Sequence, residues 1–371
     1  MAAGHAHAGA GAYQCYQCKP KRYTAYDFST VAVDYVTNHP AQYPSAPLFM
    51  YLALHNTHSP IEAPPEWVAL YNFEQAKRNT FDAMVSVVDS TVGNVTTALK
   101  AAGMWENTVF IWTTDNGSPV QVGGSNAPLR GGKGSDWEGG VRTPTFIAGG
   151  MLPEKMAGTT LDGIVGVWDW FATFAKMAGV DPTDPNTLAP TPVDSYDMWP
   201  YFTGSVSASP RAEIVFDHLM FGPYNKSNAY TPSACTYNGL IQVGPCDGGG
   251  AIRVGDMKLM VGTFGYSGLY GHFSPNASWT NNMTRMYRCS VDRPCLFNVS
   301  SANLEDGETD DLSEAMPEVT ARLKAKFLSY NTSYHPGLRP PPGETTAFCA
   351  AVLANGGYSS PWKTGAPYVP P

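Results

Sequence analysis

Apolar positions along the chain divide it into periodic helical stretches and short continuous runs. Phe28, Val31, Ala32, Tyr35 and Val36 recur at helical spacing, and Asn38-His39-Pro40 predicts the stop of that helix. Residues 1–22, ahead of it, read as a flexible lead. Residues 47–54 (PLFMYLAL) are apolar throughout, which predicts a strand buried on both faces, as in a parallel sheet. Phe81, Met84, Val85, Val88, Val92, Val95 and Leu99 line one face of a long amphipathic helix closed by Gly103. Residues 109–113 and 145–148 predict two further strands. A helix over WFATFAKMA is expected to be capped by Asp169 and ended by Gly179.

Strand, helix, strand and helix in succession predict an α/β layer, in which ligands sit beyond the carboxyl ends of the strands. Asp115-Asn116 follows one such end and His58 lies just past another. Beyond residue 208 the texture changes. EIVF, AIRV and MKLMVG are short strands, with Gly255-Asp256 as a tight turn between the last two. A helix near 318–330 and a proline- and glycine-rich tail follow. The expected organisation is a lead (1–22), an α/β portion (23–208), and a smaller antiparallel α+β subdomain with its tail (209–371).

Composition narrows the function classes. Hydrophobic residues make up 43% of the 371 and charged residues 15%, so the chain can bury a sizeable core. The formal net charge of −8 argues against nucleic acid as a partner. No apolar run is long enough to span a bilayer. Cys235, Cys246, Cys289, Cys295 and Cys349 gather in the last part of the chain. Glycosylation sequons start at Asn94, Asn225, Asn276, Asn282, Asn298 and Asn331. Together they point to a secretory-pathway protein with some disulfides. The start, MAAGHAHAGAGAYQC, has no apolar core and does not read as a signal peptide.

The stretch after the strand at 109–113 carries the chemistry. Asp115 and Asn116 offer hard oxygens suited to Ca²⁺ or Mg²⁺, although Asp-Asn-Gly alone is also a hairpin signal. Lys133 alone reads as one more solvated lysine, and His55 and His58 as loop histidines. In combination, a metal, a lysine and a histidine on one rim suit a tetrahedral anion and its leaving group. Metal and lysine neutralise anionic oxygens, and the histidine protonates the departing oxygen.

Five segments carry a family likeness: PLFMYLALHNTHSPIEAPPEW, NTVFIWTTDNG, PLRGGKGSDWEGGVRTP, GGGAIRVGDMKLMVG and DDLSEAMPEVTARL. They resemble the sulfatases of the alkaline-phosphatase-like superfamily, most closely the arylsulfatase B (N-acetylgalactosamine-4-sulfatase) type. The resemblance spans roughly residues 23–362. It implies an alkaline-phosphatase-like sheet sandwiched by helices, here incomplete, with 23–208 as a portion of the catalytic domain. It implies Asp115 and Asn116 as two Ca²⁺ ligands, Lys133 as the lysine that binds the sulfate, and His58 as the histidine at the leaving-group oxygen. Substrates would be sulfated sugars or aryl sulfates, and the full-length form would be lysosomal or extracellular. Asn116-Gly-Ser is formally a sequon too, but a glycan there would block the metal, so Asn116 is expected unmodified.

The chain departs from the family pattern at its start. The family's nucleophile is a formylglycine made from cysteine in a C-x-P-S/A-R motif. Cys18-Lys19-Pro20-Lys21-Arg22 fits only formally: Lys21 stands where a small residue is needed, and Cys18 lies too close to His58. Cys18 is therefore read as a decoy, and Cys15-x-x-Cys18 as a weak zinc signal without a second pair. The paired aspartates of the other metal strand are also missing, since Asp27 and Asp34 sit singly on a helix. The expectation is that the family's N-terminal third is absent, leaving only part of the Ca²⁺ site and no nucleophile. A noncatalytic binder of sulfated glycans is the alternative. A metal-dependent phosphate-ester hydrolase is disfavoured by the LRGGK–WEGGVR stretch. Nothing in the residues indicates an oligomeric state.

Overall fold

A computed structural model of the chain describes residues 22–183, 193–216, 235–237, 240–242, 250–261, 289–301 and 308–330. The chain divides into two compact units, Met1–Ser329 and Tyr330–Pro371. The described elements all belong to the first.

Helix α1 spans Thr24–Gln42 and helix α2 spans Ala76–Ala101. The buried positions of α1 are Ala25, Ser29, Ala32 and Val36, a stripe of period three to four. Ala32 and Val36 pack against Val95, Ala98 and Leu99 of α2. The α1 helix runs past its expected stop, carrying Pro40 in its last turn, and the Tyr43 N–H closes the end on the His39 carbonyl at 2.7 Å. The face of α2 also differs from expectation. Val87 and Thr91 are buried, while Val85 lies largely in solvent. Thr91 is accommodated because its hydroxyl donates to the Val87 carbonyl at 3.0 Å. Gly103, at φ 67°, ends α2 as the pattern predicts.

Residues 47–54 depart most from the sequence reading. Leu48, Met50 and Leu52 pack on the α1–α2 cluster, but Phe49 and Tyr51 are 72% and 83% exposed. Among the described residues this segment makes no backbone hydrogen bond, so it is extended chain and not a paired strand. Strand β1 (Phe110–Thr113) pairs with β2 (Thr145–Ala148) antiparallel, Phe110 opposite Ala148 and Thr113 opposite Thr145. The connection between the two contains only a 3-10 turn (Val120–Val122) and one α-helical turn, α3 (Glu138–Val141), and a parallel crossover needs a longer connecting helix. Trp112 stacks on Phe146 at 5.5 Å, and the Thr113 and Thr145 hydroxyls bond at 2.8 Å, which sets the register.

Helix α4 (Asp169–Met177) follows, then one turn, α5 (Trp199–Phe202). Asp169 is the first helical residue and not the cap. Its carboxylate accepts from the Gly166 and Tyr196 N–H groups and holds Arg211 in a bidentate pair, 2.6 and 2.7 Å. Both partners are buried.

Strands β3 (Glu213–Phe216), β6 (Gly250–Val254), β7 (Met257–Val261) and β8 (Cys295–Asn298) form the expected antiparallel sheet in that order, and β4 (Cys235–Tyr237) and β5 (Leu240–Gln242) form a separate pair. Gly255, at φ 55°, supplies the left-handed residue of the β6–β7 turn. Helix α6 (Pro317–Ser329) lies against β6 and β7, burying Leu323 and Phe327. A disulfide joins Cys289 to Cys295. No helix among the described residues is long and apolar enough to cross a membrane.

Removing one partner of the buried Arg211–Asp169 pair leaves an uncompensated charge, which costs about 3–5 kcal/mol. Arg211→Met should therefore lower stability by that amount in urea denaturation. The double variant Arg211→Met/Asp169→Asn should recover part of the loss.

Candidate active site

Backbone hydrogen bonds close the loop from β1 to β2 on itself. The Gly117 N–H donates to the Gly140 carbonyl at 2.9 Å, and the Lys133 N–H to the Ser118 carbonyl at 3.3 Å. The Gly139 N–H donates to the Arg130 carbonyl at 2.7 Å. Gly117 and Gly139 approach so closely that a Cβ on Gly117 would run into the Gly139 carbonyl. The Asn126 side chain reaches across, accepting from the Ser118 N–H and donating to the Ser118 and Gly131 carbonyls.

These contacts bring Lys133, Asp115 and Asn116 onto one piece of structure. Lys133 is half-buried, Asp115 exposed, and Asn116 half-buried with its amide donating to the Gly117 carbonyl at 2.9 Å. His58 comes from a separate turn. Its ring Nδ1 lies 2.9 Å from the Ser59 carbonyl oxygen, and its N–H donates to the His55 carbonyl. That turn is pinned by Asn56, whose amide donates to the Tyr23 hydroxyl and the Met84 carbonyl, both at 3.0 Å. His58, Asp115, Asn116 and Lys133 all line one open hollow of about 3410 Å³. Cys18 and the sequon residues Asn225, Asn276, Asn282 and Asn331 lie outside the described residues. Asn94 is exposed on α2, with its amide donating to Ser29 Oγ at 3.2 Å, and Asn298 lies on β8.

Asp115 and Asn116 have the right donor chemistry for a hard cation. The flanking Thr114 and Ser118 hydroxyls are buried without a hydrogen-bond partner. Ca²⁺ takes about six to eight oxygens. Among the described residues no group of three or more His, Cys, Asp or Glu side chains converges here or elsewhere. The residues present therefore do not make a complete calcium site.

Behind the Lys133 loop lies a buried cluster of charges. Trp137 and Glu138 follow Lys133 by four and five positions and plug one face of the β3–β6–β7–β8 sheet. Trp137 packs on Phe297 at 5.5 Å and belongs to the core of Ala251, Met260, Cys289, Cys295 and Val299. Arg253 and Lys258 stand opposite each other across β6 and β7, a like-charge pair that is unfavourable alone. Glu138 resolves it. Its carboxylate is 2.9 Å from Lys258 Nζ and 3.5 Å from Arg253, with Arg142 at 3.6 Å. Glu308 completes the cluster, accepting from Lys258 Nζ at 2.8 Å and from the Glu138 N–H at 2.8 Å. Its own carbonyl accepts from Arg130 at 2.6 Å.

Two carboxylates share one ammonium. Burial works to raise the Glu138 carboxyl, but Lys258, Arg253 and Arg142 outweigh it and hold Glu138 below the usual carboxylate range. Among the described residues no arginine pairs with the Glu308 carboxylate, and burial pushes it up to about 7. Burial alone would lower Lys258, but the two glutamates raise it.

The described residues combine helices with short sheets and deliver charged and polar groups from loops at strand ends, an architecture consistent with the alkaline-phosphatase-like α/β fold. Residues 4–180 match the Sulfatase family, so the chain carries a Sulfatase family domain there. It is 31% identical over 325 residues to mouse arylsulfatase J, covering 86% of this chain and 50% of that protein. It is 28% identical over 180 residues to rat N-acetylgalactosamine-6-sulfatase, covering 46% of this chain and 30% of that protein. The chain thus spans about half, or less, of the length of the curated relatives it matches. The crystal structure of Ps i-CgsB in complex with k-i-k-neocarrahexaose shares the fold, with a TM-score of 0.63 at 23% identity, covering 90% of this chain and 61% of that one.

Sequence reasoning missed Asn126, Glu138, Lys258 and Glu308. Asn126 could have been suspected from its place at the head of APLRGG, but Lys258 inside MKLMV carries no mark of its partners.

The raised Glu308 carboxyl has a stability consequence. Its folded value, about 7, lies above its ordinary 4.5, so the folded protein holds a proton that the unfolded chain releases. That contribution is fully present below about pH 4.5 and is lost as pH rises through about 7, on the order of 3 kcal/mol. Urea unfolding of Glu308→Gln, subtracted from the parent across pH 4.5–8, should show this slope. A difference that is flat with pH would remove the assignment.

Proposed function

We propose that this chain carries the substrate-binding half of a sulfuric ester hydrolase acting on sulfated sugars, of the arylsulfatase B-like kind. The observation that carries the reading is the Lys133 N–H bond to the Ser118 carbonyl, which joins a half-buried lysine to the turn bearing Asp115 and Asn116. Lys133 binds the sulfate oxygens through a charge-assisted contact. His58, on the same hollow, protonates the leaving oxygen. Asp115 and Asn116 contribute two oxygens to a divalent cation, for which Ca²⁺ is the best match of ligand type. When bound, that cation would neutralise charge on the sulfate.

The hollow supports a further part of the reading. An apolar extended segment without backbone partners, exposing Phe49 and Tyr51, needs neighbouring strands to satisfy its N–H and C=O groups. We read the hollow as the seat of strands that the described residues do not supply, together with the nucleophile and the remaining metal ligands. A lysosomal or extracellular home fits the sequons and the Cys289–Cys295 disulfide.

Two measurements test the proposal. In calorimetry, Lys133→Ala should weaken binding of inorganic sulfate about tenfold, and Ca²⁺ should bind this chain weakly. In a rate assay, the chain by itself should not turn over an aryl sulfate, because Lys133 and His58 supply no nucleophile. Turnover that disappears in Cys18→Ser would place the nucleophile at Cys18 and overturn its dismissal. Sulfate binding indifferent to Lys133→Ala would overturn the site itself.

A further inference from the structure

We propose that Asn126 is a positioning residue that sets Lys133 against the Asp115–Asn116 turn, an inference resting on the reading of Lys133 as the sulfate-binding group. The Asn126 side chain makes three hydrogen bonds, all to backbone. Its Oδ1 accepts from the Ser118 N–H at 2.7 Å. Its Nδ2 donates to the Ser118 carbonyl at 2.9 Å and to the Gly131 carbonyl at 3.0 Å. A flipped amide would face a donor with a donor and two acceptors with an acceptor, so the orientation is determined by the backbone around it.

The positions tied together are the ones that matter. Ser118 lies two residues after Asn116, and Gly131 two residues before Lys133. The Ser118 carbonyl accepts from both Asn126 Nδ2 and the Lys133 N–H, so one oxygen is the shared anchor of clasp and lysine. Between these points the chain contains Gly123, Gly124, Gly131 and Gly132, with Gly134 just beyond. Glycine backbone has little conformational restraint of its own. Without the clasp, the one direct backbone bond from Lys133 itself to the Asn116 turn would be its 3.3 Å contact with the Ser118 carbonyl. A displacement of about 1 Å in a binding group can cost a hundredfold in rate, so such a tether bears on function and not merely on loop order. Gly132 fits the same design, since a Cβ there would press to 2.6 Å from the Ser118 carbonyl and 2.9 Å from Asn126 Nδ2. With both N–H groups committed to carbonyls, Asn126 has no donor left for a ligand, which marks it as acting through Lys133.

The test uses the whole chain with inorganic sulfate as probe, read by calorimetry, and amide hydrogen exchange as a second, ligand-free readout. Asn126→Asp keeps the acceptor for Ser118 but turns a carboxylate toward two carbonyls. At pH 7.5 it should weaken sulfate binding about tenfold relative to the parent. Facing two carbonyl oxygens pushes that carboxyl's pKa up, so at pH 5 its protonated fraction regains one donor, and the deficit should shrink to about threefold. Asn126→Ala has nothing to protonate, so its deficit should be the same at both pH values. Exchange at the Lys133 amide should quicken about tenfold in Asn126→Asp at neutral pH, relative to the parent, while the α2 amides stay as protected as before. If Lys133→Ala weakens sulfate binding and neither Asn126 variant does, the positioning role is wrong while the site stands. If Lys133→Ala has no effect, the site reading is wrong, and the exchange at Lys133 alone decides the clasp. Faster exchange throughout α2 in Asn126→Asp, and in the milder Asn126→Ser, would make Asn126 a general stability residue and overturn the proposal.

Discussion

Glu138 is the residue on which the site's placement depends. It lies at the head of one helical turn and meets Lys258, Arg253 and Arg142 within 3.6 Å, while its N–H is taken by Glu308. Removed from water, any one of these charges would be costly. Together they form a knot of mutually paired charges that joins the Lys133 loop to the antiparallel sheet. Trp137 beside it adds apolar packing, with the Arg130 guanidinium 3.9 Å over its ring. The loop is thus fastened at its base by buried charge and aromatic packing, and nearer its tip by hydrogen bonds alone.

That division suits a binding lysine. Lys133 is neither in a helix nor in a strand, and a loop lysine is ordinarily mobile. Here the backbone on either side is pinned, by Asn126 to Gly131 and by Ser135, whose hydroxyl donates to the Gly132 carbonyl at 2.7 Å. The side chain keeps its freedom to meet an anion while its origin stays fixed. Close backbone packing at Gly117 and Gly139 brings the Asn116 turn to the same place without any side chain between.

The hollow has a different character. Its walls include apolar side chains of α1, α2 and the 47–54 segment, as well as the polar rim. The apolar floor has extended chain along it that pairs with no strand among the described residues. This accounts for the contrast between the well-packed C-terminal sheet, where Ile252, Leu259 and Leu296 are fully buried, and the exposed Phe49 and Tyr51.

Much of the architecture was legible in the residues. Helical periodicity located α1, α2, α4 and α6, because the 3.6-residue repeat is a local property of each segment. Gly103, Gly179 and Gly255 marked ends and a turn, because positive φ is a local demand met most easily by glycine. The sulfatase likeness of DNG, LRGGK and WEGGVR was legible too, because those residues are close in sequence. Tertiary structure alone decided the rest. The hydrophobic run at 47–54 says that a strand is wanted, but not whether partners are present. The apolar runs of β1 and β2 do not state their direction; the absence of a long crossover helix between them does. Glu138 finds Lys258 across 120 residues and Glu308 across 170, and nothing local in any of the three announces the others. A charge can be buried only where its counter-charges arrive in space, and that meeting is a property of the folded chain.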